Sequence, residues 1–185
     1  MIIGITGTLG AGKGTAVEYL VNEKGFTHLS AREFFIEEVT RRGLPVNRDT
    51  ITEVANDLRT KHGLTYAVEH LFAQAKEKGG DAVLESIRTP SEGEFLKAHG
   101  ALLWAVDADR ELRYERIVKR GSETDHVTFD EFVAHEEREM HSTDPAKQSI
   151  AQVMAMADHI FHSNGSKEEL YVEVEEALQE AGFKA

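Results

Sequence analysis

The chain has 185 residues, 41% of them hydrophobic and 29% charged, which suits one soluble domain able to bury roughly 70% of the surface its unfolded form exposes. It contains no cysteine, which excludes disulfides, thiolate metal sites and cysteine nucleophiles and accords with a reducing, cytoplasmic setting. With 33 acidic against 21 basic residues and a formal charge of −12, it is a poor general binder of nucleic acid or anionic membrane, so any bound phosphate needs a locally built site.

The amino-terminal Met1-Ile2-Ile3-Gly4-Ile5 has no basic segment or cleavage site and reads as a buried strand, not a signal peptide. No stretch approaches the ~18 apolar residues of a membrane span. A glycine-rich turn follows, then a helix over residues 13–23. Residues 26–29 form a second short strand, and Ser30 with Glu33 makes a capping box for another helix. Helical spacing continues through Ile51, Val54, Ala55 and Leu58, and again through Tyr66, Val68, Leu71 and Phe72, with breaks at Gly43-Leu44-Pro45 and Lys61-His62-Gly63. Residues 81–85 are a third strand and residues 101–106 a fourth, the most apolar. A charged helix covers residues 109–119, a polar loop residues 120–128, and helices flank Thr143-Asp144-Pro145. Residues 158–162 are a weak fifth strand. Ser166 and Glu169 cap a last helix, whose stripe Leu170, Val174, Ala177, Leu178, Ala181 ends at Gly182. Strands alternating with helices predict a single α/β domain, with a parallel sheet, helices on both faces and a ligand crevice at the carboxyl ends of the strands.

Gly7-Thr8-Leu9-Gly10-Ala11-Gly12-Lys13-Gly14-Thr15 ends a strand and opens a helix, the setting a phosphate-binding loop requires. Glycines let backbone N–H groups turn toward phosphate, the helix N-terminus adds partial positive charge, and Lys13 can reach the outer phosphates of a nucleoside triphosphate. The lysine is followed by Gly14 rather than a hydroxyl residue, so Thr15 is the candidate for phosphate contact or for holding magnesium through water. This Gly-Lys-Gly-Thr form resembles adenylate kinase and other nucleoside monophosphate kinases. Leu84-Glu85-Ser86-Ile87-Arg88-Thr89-Pro90 ends the third strand. Its layout is similar to that of nucleotide kinases, with Glu85 at the position of the magnesium-orienting Asp and Arg88 at that of the acceptor-phosphate arginine; the guanidinium fork suits phosphate.

Arg113, Arg116 and Arg120 recur near one helical face. The stretch Arg116-Ile117-Val118-Lys119-Arg120 resembles the entrance to the adenylate kinase lid, which implies that Arg116 and Arg120, with Arg138 from the next helix, embrace the transferring phosphoryl group. After the second strand, Ser30 matches the acceptor region of monophosphate kinases, and Arg32 and Arg48 are candidates to hold an acceptor phosphate. Asn164-Gly165-Ser166 resembles the loop that packs on the donor base in dephospho-coenzyme A kinases. Glu136, Glu137 and Glu139 read as a solvated helix face, and the nine histidines show no metal-ligand spacing.

The chain as a whole thus resembles the phosphate-loop kinases of small phosphorylated metabolites. The resemblance implies a five-stranded sheet of order 2-3-1-4-5, an acceptor-binding helical region at about residues 30–78 and a short lid at about residues 120–140. It also implies ATP with Mg²⁺ as donor and a small phosphorylated acceptor, a nucleoside or deoxynucleoside monophosphate ahead of dephospho-coenzyme A. A nucleotide-binding regulator or ATPase without an acceptor is the reading of another class, and it leaves Arg88 and the lid arginines without a purpose.

Overall fold

The first strand, β1 (Ile2–Gly7), is buried at every residue, as expected of a short β-branched run covered on both faces. It occupies the centre of a five-stranded parallel sheet of order β2-β3-β1-β4-β5, in the computed structural model, which describes residues 1–121 and 127–183. The other strands are β2 (Thr27–Ser30), β3 (Ala82–Glu85), β4 (Leu102–Asp107) and β5 (His159–His162). Between β1 and β2 lies α1 (Lys13–Asn22). Helices α2 (Ala31–Arg41), α3 (Arg48–His62) and α4 (Tyr66–Lys78) join β2 to β3, and α5 (Pro90–Ala98) joins β3 to β4. Helices α6 (Arg110–Arg120), α7 (Phe129–Met140) and α8 (Ile150–Ala155) follow β4, and α9 (Lys167–Glu180) ends the described fold.

Alternation along the strands splits the core into two layers. Leu29, Leu84 and Leu103 pack with α2 to α5 and with Val153 of α8 on one face. Ile3, Ile5, Val83, Trp104 and Phe161 pack with α1 and α9 on the other. Register aligns the carboxyl ends: Ser30 lies opposite Glu85, Ile5 opposite Glu85, Gly7 opposite Val106, and Asp107 opposite His162. Everything that follows those residues therefore opens onto one edge of the sheet, and β1 carries the loop that sits at its centre.

The caps explain several boundaries. Asn47 and Thr50, Thr89 and Glu92, Thr128 and Glu131, and Ser166 and Glu169 form complete capping boxes for α3, α5, α7 and α9. At α2 the Ser30 hydroxyl accepts a bond from the Glu33 amide. Helix α5 was not foreseen, although Thr89-Pro90-Ser91-Glu92 carries both the box and a proline at the first helical turn, the residue signals that start a helix. The polar loop expected over residues 120–128, and with it the first part of the expected lid, falls largely on residues 122–126, which lie outside the described residues; the described remainder of that lid is α7. No described helix is long and apolar enough to cross a membrane.

Candidate functional site

The loop between β1 and α1 is shaped by close backbone approaches. At Gly7 φ is +135°, and a Cβ there would lie 2.0 Å from the Val106 carbonyl oxygen, so only glycine fits. Thr8 fastens the loop to the end of β4 by donating its hydroxyl to Asp107 Oδ1 at 2.6 Å. No side chain caps α1, which leaves its amino-terminal amides to the cleft above. Gly14, by contrast, faces open space: a Cβ there meets nothing within 4 Å.

Lys13 is folded back on this loop, donating from Nζ to the carbonyls of Gly7 at 2.9 Å and Thr8 at 2.6 Å. Desolvation, reinforced by repulsion from Arg88 and opposed by the charges of Glu85 and Glu139, lowers its ammonium to about 7. Arg116 reaches over the loop from α6, with its guanidinium 3.4 Å from the Ala11 carbonyl and 3.5 Å from Ser163 Oγ. Arg113, one turn earlier, is buried. It donates to the Ala108 carbonyl at 2.7 Å and the Leu9 carbonyl at 3.4 Å, and pairs with Glu136 of α7 at 2.5 Å.

Glu85 ends β3 beside the loop and accepts a bond from His28 of β2 at 3.0 Å. Burial works to raise Glu85, but the His28 bond and the charges of Lys13 and Arg88 outweigh it and hold the carboxyl below its ordinary range. The same bond raises His28. Ser86 follows at φ +72°, alone among the described non-glycine residues in the left-handed region, a conformation that costs roughly 1 kcal/mol and here turns the chain from strand to cleft floor. Arg88 donates to Glu139 Oε2 at 2.9 Å and to Gln148 Oε1 at 3.0 Å. Arg48 of α3 donates twice to the other oxygen, Glu139 Oε1, at 3.0 and 2.6 Å.

Of the residues singled out from the sequence, 9–15, Ser30, Arg32, Arg48, Glu85, Arg88, Arg116 and Arg120 line one cleft of about 720 Å³. Gly7 lies beneath it as an acceptor for Lys13. Arg138 is not brought there: it is exposed and bonds His135 at 2.8 Å and Asp49 at 3.3 Å. Asn164 is spent on the backbone and carboxylate of Asp109 at the rim, and neither it nor Gly165 lines the cleft. The acidic face of α7 is corrected outright: Glu136 and Glu139 are each 6% exposed and paired with arginines. Asp107, Gln148 and these two glutamates were missed because their partners come from elements distant in sequence, and Ser86 because nothing in its residue type signals a positive φ.

The match to known proteins agrees with this geometry. The family model described as an AAA domain covers residues 3–144, from β1 through α7. The chain belongs to the AAA domain family. A UPF0200 protein of Thermococcus gammatolerans is 30% identical over 176 residues, 91% of this chain and 89% of that one. A UPF0200 protein of Methanococcus vannielii is 29% identical over 164 residues, 86% and 84% of the two chains. Among solved structures, a shikimate kinase from Bacteroides thetaiotaomicron superposes with a TM-score of 0.59 at 13% identity, covering 99% of both chains. A shikimate kinase from Aquifex aeolicus does so at 0.57 and 17%, covering all of both. These likenesses establish a kinase-like phosphate-loop fold, with the sheet order that the sequence resemblance implied.

Proposed function

We propose that the protein transfers a phosphoryl group from ATP to a small phosphorylated acceptor, a nucleoside or deoxynucleoside monophosphate. The observation that carries this reading is the meeting of two pockets. The loop cleft and a second, smaller pocket walled by Phe35, Ile51 and Ala55 share Arg32, Arg48, Ser86 and Arg88. A donor on the loop and an acceptor against α2 and α3 would therefore face each other across a row of arginines. A nucleotide-binding regulator or a simple ATPase gives that second pocket no task.

In this reading the α1 amino terminus and Lys13 bind the β and γ phosphates. Arg88 and Arg48 orient the acceptor's phosphate, and Arg116 and Arg120 stabilise charge on the moving group; positioning and electrostatics suffice for such chemistry. Thr15 and Glu85, a hydroxyl and a carboxylate on the same cleft, are hard oxygen donors of the kind magnesium takes alongside phosphates and water. Bound there, the ion neutralises phosphate charge.

A coupled assay of ADP release, run with each nucleoside and deoxynucleoside monophosphate and with dephospho-coenzyme A, tests the proposal. ADP should appear only with a matching acceptor, and Lys13→Ala should lower turnover by on the order of 10²–10⁴. Equal ADP release with and without every acceptor would leave an ATPase instead.

A further inference from the structure

The acceptor side of the cleft holds a carboxylate of the protein's own. Glu139 projects from α7 between Arg48 and Arg88, its side chain only 7% exposed. Each of its oxygens is taken by a different guanidinium, Oε1 by Arg48 and Oε2 by Arg88. Two oxygens of one anion, shared between two planar forks, is how arginines bind a phosphate or a substrate carboxylate. The pocket beside this contact has only about 60 Å³ of free space, several-fold below the ~300 Å³ at which small-molecule sites begin. With Glu139 in place, the arginines best located for an acceptor are engaged and the room for one is small.

The helix that carries Glu139 does not depend on it for docking. One turn earlier, Glu136 is held by Arg113 and Arg110 of α6, and Phe132 is fully buried beneath the same helix. Glu139 lies in the last turn of α7, so its release should loosen that turn while Glu136 and Phe132 keep the rest of the helix docked. The surrounding charges favour an anion at this point: Arg48 and Arg88 both repel the ammonium of Lys13, and Glu139 offsets them.

We propose that Arg48 and Arg88 form an oxyanion site, for a phosphate or carboxylate, that Glu139 occupies as a resident stand-in until an incoming acceptor displaces it. The proposal rests on the reading that the pocket takes the acceptor. It makes Glu139 a gate on affinity: a ligand enters only by outcompeting a buried carboxylate, and the apparent affinity of every anion is its intrinsic affinity multiplied by the fraction of molecules in which the site is open.

The test uses inorganic phosphate and acetate as probes, with the full-length protein first saturated by a non-hydrolysable ATP analogue and magnesium so that the loop is blocked. By calorimetry, Glu139→Gln should bind phosphate on the order of tenfold or more tightly than the wild type. Acetate should show a gain of the same sign if the site takes carboxylates too, and none if it is restricted to phosphate. In the wild type, saturating phosphate should speed amide exchange in the last turn of α7 as Glu139 is released. If Glu139→Gln binds phosphate equally or more weakly, the carboxylate merely orders the arginines and the proposal fails. Should that variant not fold, the wild-type exchange decides alone: unchanged α7 protection with phosphate bound overturns the idea. An analogue that binds neither form would sink the phosphotransferase reading, and this proposal with it.

Discussion

Lys13 is held by carbonyl oxygens, in a position where keeping a charge is costly. Its ammonium sits at about 7, through desolvation first and Arg88 second, against ~10.4 for a lysine in an unfolded chain. The sign follows directly. Between pH 7 and about 10.4 the unfolded chain binds more protons than the native one, so the lysine's contribution to stability rises with pH across that window. Nucleotide binding has the opposite demand, because a polyphosphate needs the ammonium charged. Binding of an ATP analogue above pH 7 should take up as much as one proton, and its affinity should fall by up to about tenfold per pH unit. Calorimetry at pH 8.5 in two buffers of different ionisation enthalpy measures that uptake. Lys13→Arg, charged throughout, should bind with a flat profile; wild-type binding without proton uptake at pH 8.5 would show that the lysine is already charged in the free protein. Gly7, Gly10 and Gly12 of this loop were readable because the backbone there takes positive φ against close neighbours, which only glycine allows at that spacing. Ser86 was not, since a serine carries no sign that its φ will be positive.

Helix α7 shows where reading elements from sequence stops. Its capping box and length are local properties, but the destination of its acidic side chains is not. Glu136 and Glu139 lie three apart on a strongly charged helix, the pattern of a solvated face, and only the tertiary fold delivers Arg110 and Arg113 of α6 to one and Arg48 and Arg88 to the other. For the same reason Arg138, on the same helix, gave no sign that it would point to Asp49 instead of the cleft. The Arg113–Glu136 pair is about 5% exposed on both sides, so breaking it leaves a charge in a place water hardly reaches. Arg113→Met should destabilise the protein by about 3 kcal/mol, near the lower end of the range for such breaks because Arg110 still faces Glu136. Adding Glu136→Met should restore more than half of that loss, since the double variant buries no unpaired charge. Urea denaturation of the wild type, the single and the double variants reads both numbers; a single-variant loss below about 1 kcal/mol would mean that the pair is solvated. Nucleotide affinity should remain reduced in the stable double variant, because Arg113 also holds the Leu9 carbonyl of the phosphate loop.

In the molecule as a whole, a net charge of −12 coexists with a cleft that gathers Lys13, Arg32, Arg48, Arg88, Arg116 and Arg120. The first is a matter of composition; the parallel topology, by aligning strand ends, produces the second. That topology also ties the two core layers together. Neighbouring residues of one strand serve opposite layers: Ile2 and Ile3, Leu84 and Val83, Leu103 and Trp104. A layer cannot lose its order without loosening the strands that hold the other, so the domain should unfold as one cooperative unit. The single tryptophan makes this measurable. Trp104 is 2% exposed and packs edge-on to Phe161 in the layer of α1 and α9. Leu71, on α4, is buried in the opposite layer and lines neither pocket of the cleft. Leu71→Ala should cost about 2–5 kcal/mol through lost burial and the cavity left behind. In urea, Trp104 fluorescence and far-ultraviolet circular dichroism should then report the same lowered midpoint, with the slope of the transition unchanged. If the layer of α2 to α5 were an independent unit, the dichroism transition would broaden or split while the Trp104 midpoint stayed at its wild-type value, and the acceptor side would have to be treated as a separate folding domain.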